Sequence, residues 1–199
     1  MNYRSTRSAD GKYTSAQIIK QGLAADGGLF VPTSLPTLDE TAVAALSKMN
    51  YAGRAAYVLG LFLTDYSEDE LSEMAKKAYS RRNFGCNPAP LSRLENDYVL
   101  ELWHGPTSAF KDMALQIMPM LLSKSLEKTG EKRDALILVA TSGDTGKAAL
   151  EGYKNVPRVS IQVFYPESGV SNIQKRQMQT QEGGNVGVCA IRGNFDDAQ

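Results

Sequence analysis

The sequence predicts an α/β protein in two parts: a mainly helical amino-terminal domain over residues 1–88, then part of an open, mostly parallel sheet over 89–199. Three observations carry this. Apolar residues recur at helical spacing through the first part. Asn83 to Pro90, with Gly85, Pro88 and Pro90, reads as a boundary. Beyond it, strand-like and helix-like runs alternate with short loops, which is the pattern of βαβ units.

The elements follow in order. Ser15 to Ala24 has helical spacing and is broken by Ala25-Asp26-Gly27-Gly28; Leu29-Phe30-Val31 before Pro32 is a short strand. Thr37-Leu38-Asp39-Glu40 has the form of a capping box opening a helix to about Met49. Tyr51 to Asp65 is apolar enough for a mostly buried helix, and Ser67-Glu68-Asp69-Glu70 repeats the capping pattern for a helix ending near Arg82. Tyr98 to Trp103 is strand-like. Ser108 to Lys128 is helical, with a kink rather than a break expected at Pro119 because the apolar spacing resumes beyond it. Asp134 to Thr141 is a near-continuous apolar run, as in a strand buried on both faces. A helix from about Thr145 to Lys154, a strand from Arg158 to Tyr165, a helix from Val170 to Gln181 and a strand from Asn185 to Ile191 complete the pattern.

Composition narrows the function. Lys plus Arg equals Asp plus Glu at 22 each, so the balanced charge and the lack of a long basic run argue against a nucleic-acid partner. The amino terminus has no apolar core of a secretory signal, and the longest apolar stretch, Val58 to Leu63, is too short to cross a bilayer. No membrane partner is expected, and the chain reads as cytoplasmic. Cys86 and Cys189 lack metal or disulfide spacing and read as buried or incidental thiols. His104 is the single histidine, so neither a catalytic triad nor a multi-histidine metal site can be built, and no metal is expected.

Two segments carry chemistry. In Leu102-Trp103-His104-Gly105-Pro106-Thr107-Ser108-Ala109-Phe110-Lys111-Asp112, a strand-like run and a Gly-Pro turn deliver one lysine to the first turn of a helix. The partial positive charge of a helix N-terminus disfavours an ammonium group there, and a neutral amine can attack a carbonyl. Taken alone, an ordinary exposed lysine is the commoner explanation. The second segment, Ala140-Thr141-Ser142-Gly143-Asp144-Thr145-Gly146-Lys147, follows the buried strand and enters a helix. Hydroxyls at Ser142 and Thr145, and glycines at 143 and 146 that admit close backbone approach, suit an anion beyond a strand's carboxyl end. A Gly-rich turn made only for close packing is the alternative. A P-loop is excluded, because Thr141 stands at its first glycine and Ala148 follows Lys147.

Together these segments resemble the active-site signatures of the threonine synthase family. His104-Gly105-Pro106-Thr107-Ser108-Ala109-Phe110-Lys111-Asp112 is similar to its pyridoxal-phosphate lysine motif, and Ala140 to Gly146 to its substrate-binding loop. Tyr3-Arg4-Ser5-Thr6-Arg7 and Leu23 to Pro32 resemble its amino-terminal segment, and Gly193 to Gln199 a further one. The resemblance covers almost the whole chain. It implies part of the three-layer αβα, tryptophan synthase β-like fold of fold-type-II enzymes. It also implies pyridoxal 5'-phosphate as cofactor and conversion of O-phospho-L-homoserine and water to L-threonine and phosphate.

On that resemblance Lys111 binds the cofactor covalently and, once freed, shuttles protons on the substrate. Phe110 lies beside the cofactor, with packing weighed above stacking on its ring. Ser142, Gly143, Asp144, Thr145 and Gly146 hold the substrate carboxylate, and Asp144 or its neighbours stand near the cofactor's phenolic oxygen, where an acid has to be turned away or protonated. His104 orients the turn or does acid–base work, the first weighing more. Ser171, Lys175 and Arg176 face the substrate phosphate or form a solvated helix face, and Met113, Met118 and Met120 are core. Family members are about twice as long by resemblance. The chain is therefore expected to be an amino-terminal fragment, inactive or very weak alone, with the residues for the cofactor phosphate and pyridine nitrogen beyond Gln199. The oligomeric state stays open. Another lysine–cofactor enzyme of the same fold, such as a dehydratase or sulfhydrylase, and a non-catalytic homologue are the competing readings.

Overall fold

The computed structural model describes every residue except Ala9, Asp10 and Ser142. Two compact units emerge: Met1–Ser80 with Lys124–Lys132, and Arg81–Ser123 with Arg133–Gln199.

In the first unit β1 (Tyr3–Ser5) pairs antiparallel with β2 (Phe30–Pro32), and Tyr13 stacks its ring edge on Phe30. Helix α1 (Ser15–Gln21) opens with a capping box between Thr14 and Gln17. Helix α2 (Glu40–Lys48) starts from Asp39, whose carboxylate accepts the Ala42 amide at 2.7 Å. The cap predicted at Thr37 thus falls two residues on, since a carboxylate at Asp39 satisfies the first-turn donors directly. Helix α3 (Tyr51–Phe62) was predicted to be mostly buried, yet none of its residues is. One side packs on α4 (Glu68–Ala78), with Gly60 against Leu71 and the Tyr51 ring on Tyr79; Tyr57 and Val58 on the rest are open. The Ser67–Glu70 capping box that opens α4 forms as the sequence indicates. That helix stops at Ala78, and Arg81–Phe84 makes a separate short helix, α5, in the second unit.

The second unit begins with a hairpin of β3 (Leu91–Leu94) and β4 (Asp97–Leu100), turning through Glu95 at φ 53°. Then come α6 (Asp112–Leu115) and α7 (Met118–Lys128). The helix predicted over Ser108–Lys128 is therefore broken rather than kinked. Pro119 has no N–H to donate and its ring would clash with the carbonyl of residue 115, so the chain restarts with proline at the second helical position, where the donor is not needed.

The parallel sheet follows: β5 (Ala135–Ala140), α8 (Asp144–Tyr153), β6 (Val159–Pro166), α9 (Asn172–Gln179), β7 (Val186–Ile191) and a last turn of helix, α10 (Phe195–Ala198). The strand order is β5-β6-β7, all parallel. The alternating pattern thus yields the predicted α/β architecture. Its core is Leu150, Tyr153, Ile161, Val163, Tyr165 and Met178. Burying each such aliphatic side chain is worth roughly 1.5–3 kcal/mol.

One expectation fails here. β5 is not buried on both faces: Leu136 and Leu138 are 61% and 65% exposed, because α8 and α9 pack over the Val163 face and β5 is an edge strand. Cys86 and Cys189 are free and exposed, which leaves the incidental of the two readings. No helix among the described residues is long and apolar enough to cross a membrane.

Candidate functional site

The lysine turn is built around a buried acid. Asp112 is fully buried, and its carboxylate accepts the Thr107 amide at 2.8 Å and the Thr107 hydroxyl at 2.7 Å. Burial pushes its carboxyl up against those two bonds, with the Glu151 charge adding to the rise. Residues 105–111 are thereby wound into a tight loop, with Ser108 donating to the Gly105 carbonyl at 3.1 Å and itself at φ 60°. Asp112 also donates its amide to Ala109, and the Lys111 carbonyl accepts from Ala114 and Leu115. Lys111 is consequently the N-cap of α6, in helical backbone geometry.

The helix whose N-terminal field was expected to act on Lys111 has only four residues, so the field is that of a single turn. What the structure places next to the amine is an aromatic face. The Lys111 Nζ lies 4.4 Å from the centroid of the Phe110 ring. Phe110 is 62% exposed.

Upstream, the His104 Nε2 lies 2.6 Å from the Glu101 carboxylate, whose other oxygen accepts the Ser92 hydroxyl. The Ser92 bond, then the His104 bond, holds the Glu101 carboxyl below the usual range. An ionised acceptor makes Nε2 the donor. The Trp103 and His104 rings stack at 5.7 Å. The bonds tie β3 to the start of the lysine loop.

In the second segment the buried Thr141 hydroxyl accepts the amides of Gly143 and Gly146, both at 3.0 Å. The side chain of the first residue after β5 thus organises the turn into α8. Gly146 faces inward, and a Cβ there would meet Thr141 Cγ2 at 2.4 Å, Val163 and Met178, so the packing at this position admits only glycine. Gly143 sits at φ 154° against the side-chain amide of Gln174. Asp144 and Thr145 are the exposed ones among the described residues of the turn. Ser142, which the sequence singles out, lies outside the described residues. The two segments are joined through their helices: α6 meets α8 where Gly152 lies against the Leu115 carbonyl, so close that a Cβ would stand 1.9 Å from that oxygen.

Gln174 was missed in the sequence. Its Nε2 donates to Asp144 at 2.7 Å, turning that carboxylate toward α9. Ser171 caps α9, accepting the Gln174 amide and donating its hydroxyl to the Gln174 Oε1. The signal was present as Ser171-x-x-Gln174, the form of a capping box, but the side chain is diverted to Asp144. Lys175 is half-buried and Arg176 exposed on the same helix.

Comparison with known proteins agrees along the whole chain. A family model described as the threonine synthase N terminus matches residues 2–79. A threonine synthase of Pseudomonas aeruginosa is 40% identical over 201 residues, covering 100% of this chain and 42% of that protein. One from Saccharomyces cerevisiae is 38% identical, covering 99% and 41%. A crystal structure of threonine synthase with bound pyridoxal phosphate from Brucella melitensis superposes with a TM-score of 0.92 at 36% identity, covering 100% of this chain and 43% of that one. The chain thus spans about two fifths of the length of the curated relatives it matches. Along its whole length the chain is similar to the amino-terminal part of threonine synthases.

Proposed function

We propose that this chain carries the lysine-bearing part of a pyridoxal-phosphate-dependent carbon–oxygen lyase that converts O-phospho-L-homoserine and water to L-threonine and phosphate. The observation that carries this reading is the Lys111 amine held over the exposed Phe110 ring, on a turn locked by the buried Asp112–Thr107 pair. An accessible amine beside an open aromatic face suits a planar aromatic aldehyde. When bound, the cofactor supplies an electron sink for the carbons of the substrate.

The chain's own residues do the rest. Lys111 and Phe110 hold the cofactor. When its amine is free, Lys111 carries protons at the substrate's carbons. His104, fixed by Glu101, sets the start of the turn that presents the lysine. The turn from Ser142 to Gly146 takes the substrate carboxylate. The Thr141 hydroxyl shapes that turn, and Thr145 is its open hydroxyl. Asp144, bonded to Gln174, is turned away from the anion it would repel. Ser171, Lys175 and Arg176 stay candidates for the substrate phosphate, and the setting is the cytoplasm.

The test is covalent trapping. Adding pyridoxal phosphate to the chain, reducing with borohydride and mapping the peptides is expected to place the label on Lys111, and Lys111→Ala is expected to abolish it. A label on another side chain in the wild type would refute the assignment.

A further inference from the structure

The proposed carboxylate turn contains an acid of its own, and one side chain governs where that acid points. Gln174 uses both ends of its carboxamide: Oε1 accepts the Ser171 hydroxyl at 2.9 Å and Nε2 donates to the Asp144 Oδ1 at 2.7 Å. Its amide plane lies directly on Gly143, where a Cβ would stand 2.5 Å from the Gln174 Cδ. Three contacts therefore fix one rotamer, and glycine at 143 leaves room for it. A carboxamide is the group this position needs, since glutamate has no donor to offer Asp144 and an apolar side chain offers nothing.

We propose that Gln174 is a positioning residue for the substrate, holding the Asp144 carboxylate against α9 so that the turn at 143–145 can accept an anionic group. The proposal rests on the reading of that turn as the substrate-carboxylate site. Released, the Asp144 carboxylate would share the turn with the incoming one. Two such charges roughly 5 Å apart, under largely aqueous screening, would weaken binding by roughly fivefold.

The test is calorimetric binding of O-phospho-L-homoserine to the 199-residue chain without pyridoxal phosphate, so that no chemistry follows. Gln174→Met is expected to raise Kd by roughly fivefold, with the penalty narrowing as salt screens the repulsion. Adding Asp144→Asn to that variant is expected to bring Kd back to within about twofold of the starting value, because the repelling charge is gone. Gln174→Glu, closer in shape, is expected to bind still more weakly, and it serves where the methionine variant does not fold. A double variant as weak as Gln174→Met would overturn the proposal, since the loss would then come from the shape of the turn. Thr145→Val separates this inference from the reading beneath it. Weaker binding in that variant with Gln174→Met unchanged leaves the carboxylate turn standing and removes Gln174 from it. No binding by the wild type, or no effect of Thr145→Val, removes both.

Discussion

Asp112 and Thr107 fix the path of the backbone that presents Lys111, and they do so with two hydrogen bonds on a carboxylate that water does not reach. Asparagine can accept at only one of its two side-chain ends, so in Asp112→Asn the Thr107 amide keeps an acceptor while the Thr107 hydroxyl has to accept from the new N–H and its own hydrogen loses its partner. Such a mismatch on a buried group costs about 1–3 kcal/mol. The expected outcome for Asp112→Asn is an unfolding free energy lowered by that amount, together with a smaller yield of borohydride-trapped Lys111. Thr107→Val, which removes only the hydroxyl, is expected to do less of both. A trapped yield equal to wild type in Asp112→Asn would show that the lysine does not depend on this pair.

Helices α6 and α8 carry the two chemical segments and touch where Gly152 meets the Leu115 carbonyl. A methyl group cannot fit 1.9 Å from that oxygen, so Gly152→Ala must push the helices apart. The alanine would otherwise favour a helix interior by roughly 1 kcal/mol. The prediction is the opposite sign: net destabilisation by about 1–3 kcal/mol, read from the urea midpoint. An unchanged or raised midpoint would contradict the packing.

The same elements show how far the sequence could be read. The Ser67–Glu70 cap, the βαβ alternation and the two chemical turns rest on local residue types, and local rules found them. The break before Pro119 was missed because apolar spacing resumes at Leu121 and Leu122, while the lost donor and the ring clash act over four residues. Strand β3 was invisible because all four of its residues are exposed and leave no alternation to see. Gln174 escaped for another reason: what it does depends on a neighbour set by tertiary contact, Asp144, 30 positions away.

For the molecule as a whole, acid is an informative perturbation. Glu70 joins α4 to the end of α7 through Lys128 at 2.8 Å and Lys124 at 3.2 Å. Burial acts to raise its carboxyl, but the Lys128 bond, the Ser67 amide and Lys124 together bring it down to about 2. An unfolded glutamate titrates near 4.3, roughly. The contribution of this cluster is therefore complete above that value and drains away as pH falls from it toward 2. The cluster is partly exposed and screened, so the effect is modest. Glu70→Gln is expected to lower the urea midpoint near neutrality and to flatten the loss of stability between about pH 4.3 and 2, where the wild type declines. Parallel curves for the two proteins through that window would remove Glu70 as the source.

Helix α7 has residues in both compact units, so a perturbation that melts it cannot stay within one of them. The bare leucines at 136 and 138 bear on how the chain behaves in a tube. Two neighbouring oily side chains on a sheet margin give detergents, reporter dyes and other molecules of the same kind a place to adhere. None of the proposed chemistry uses that pair.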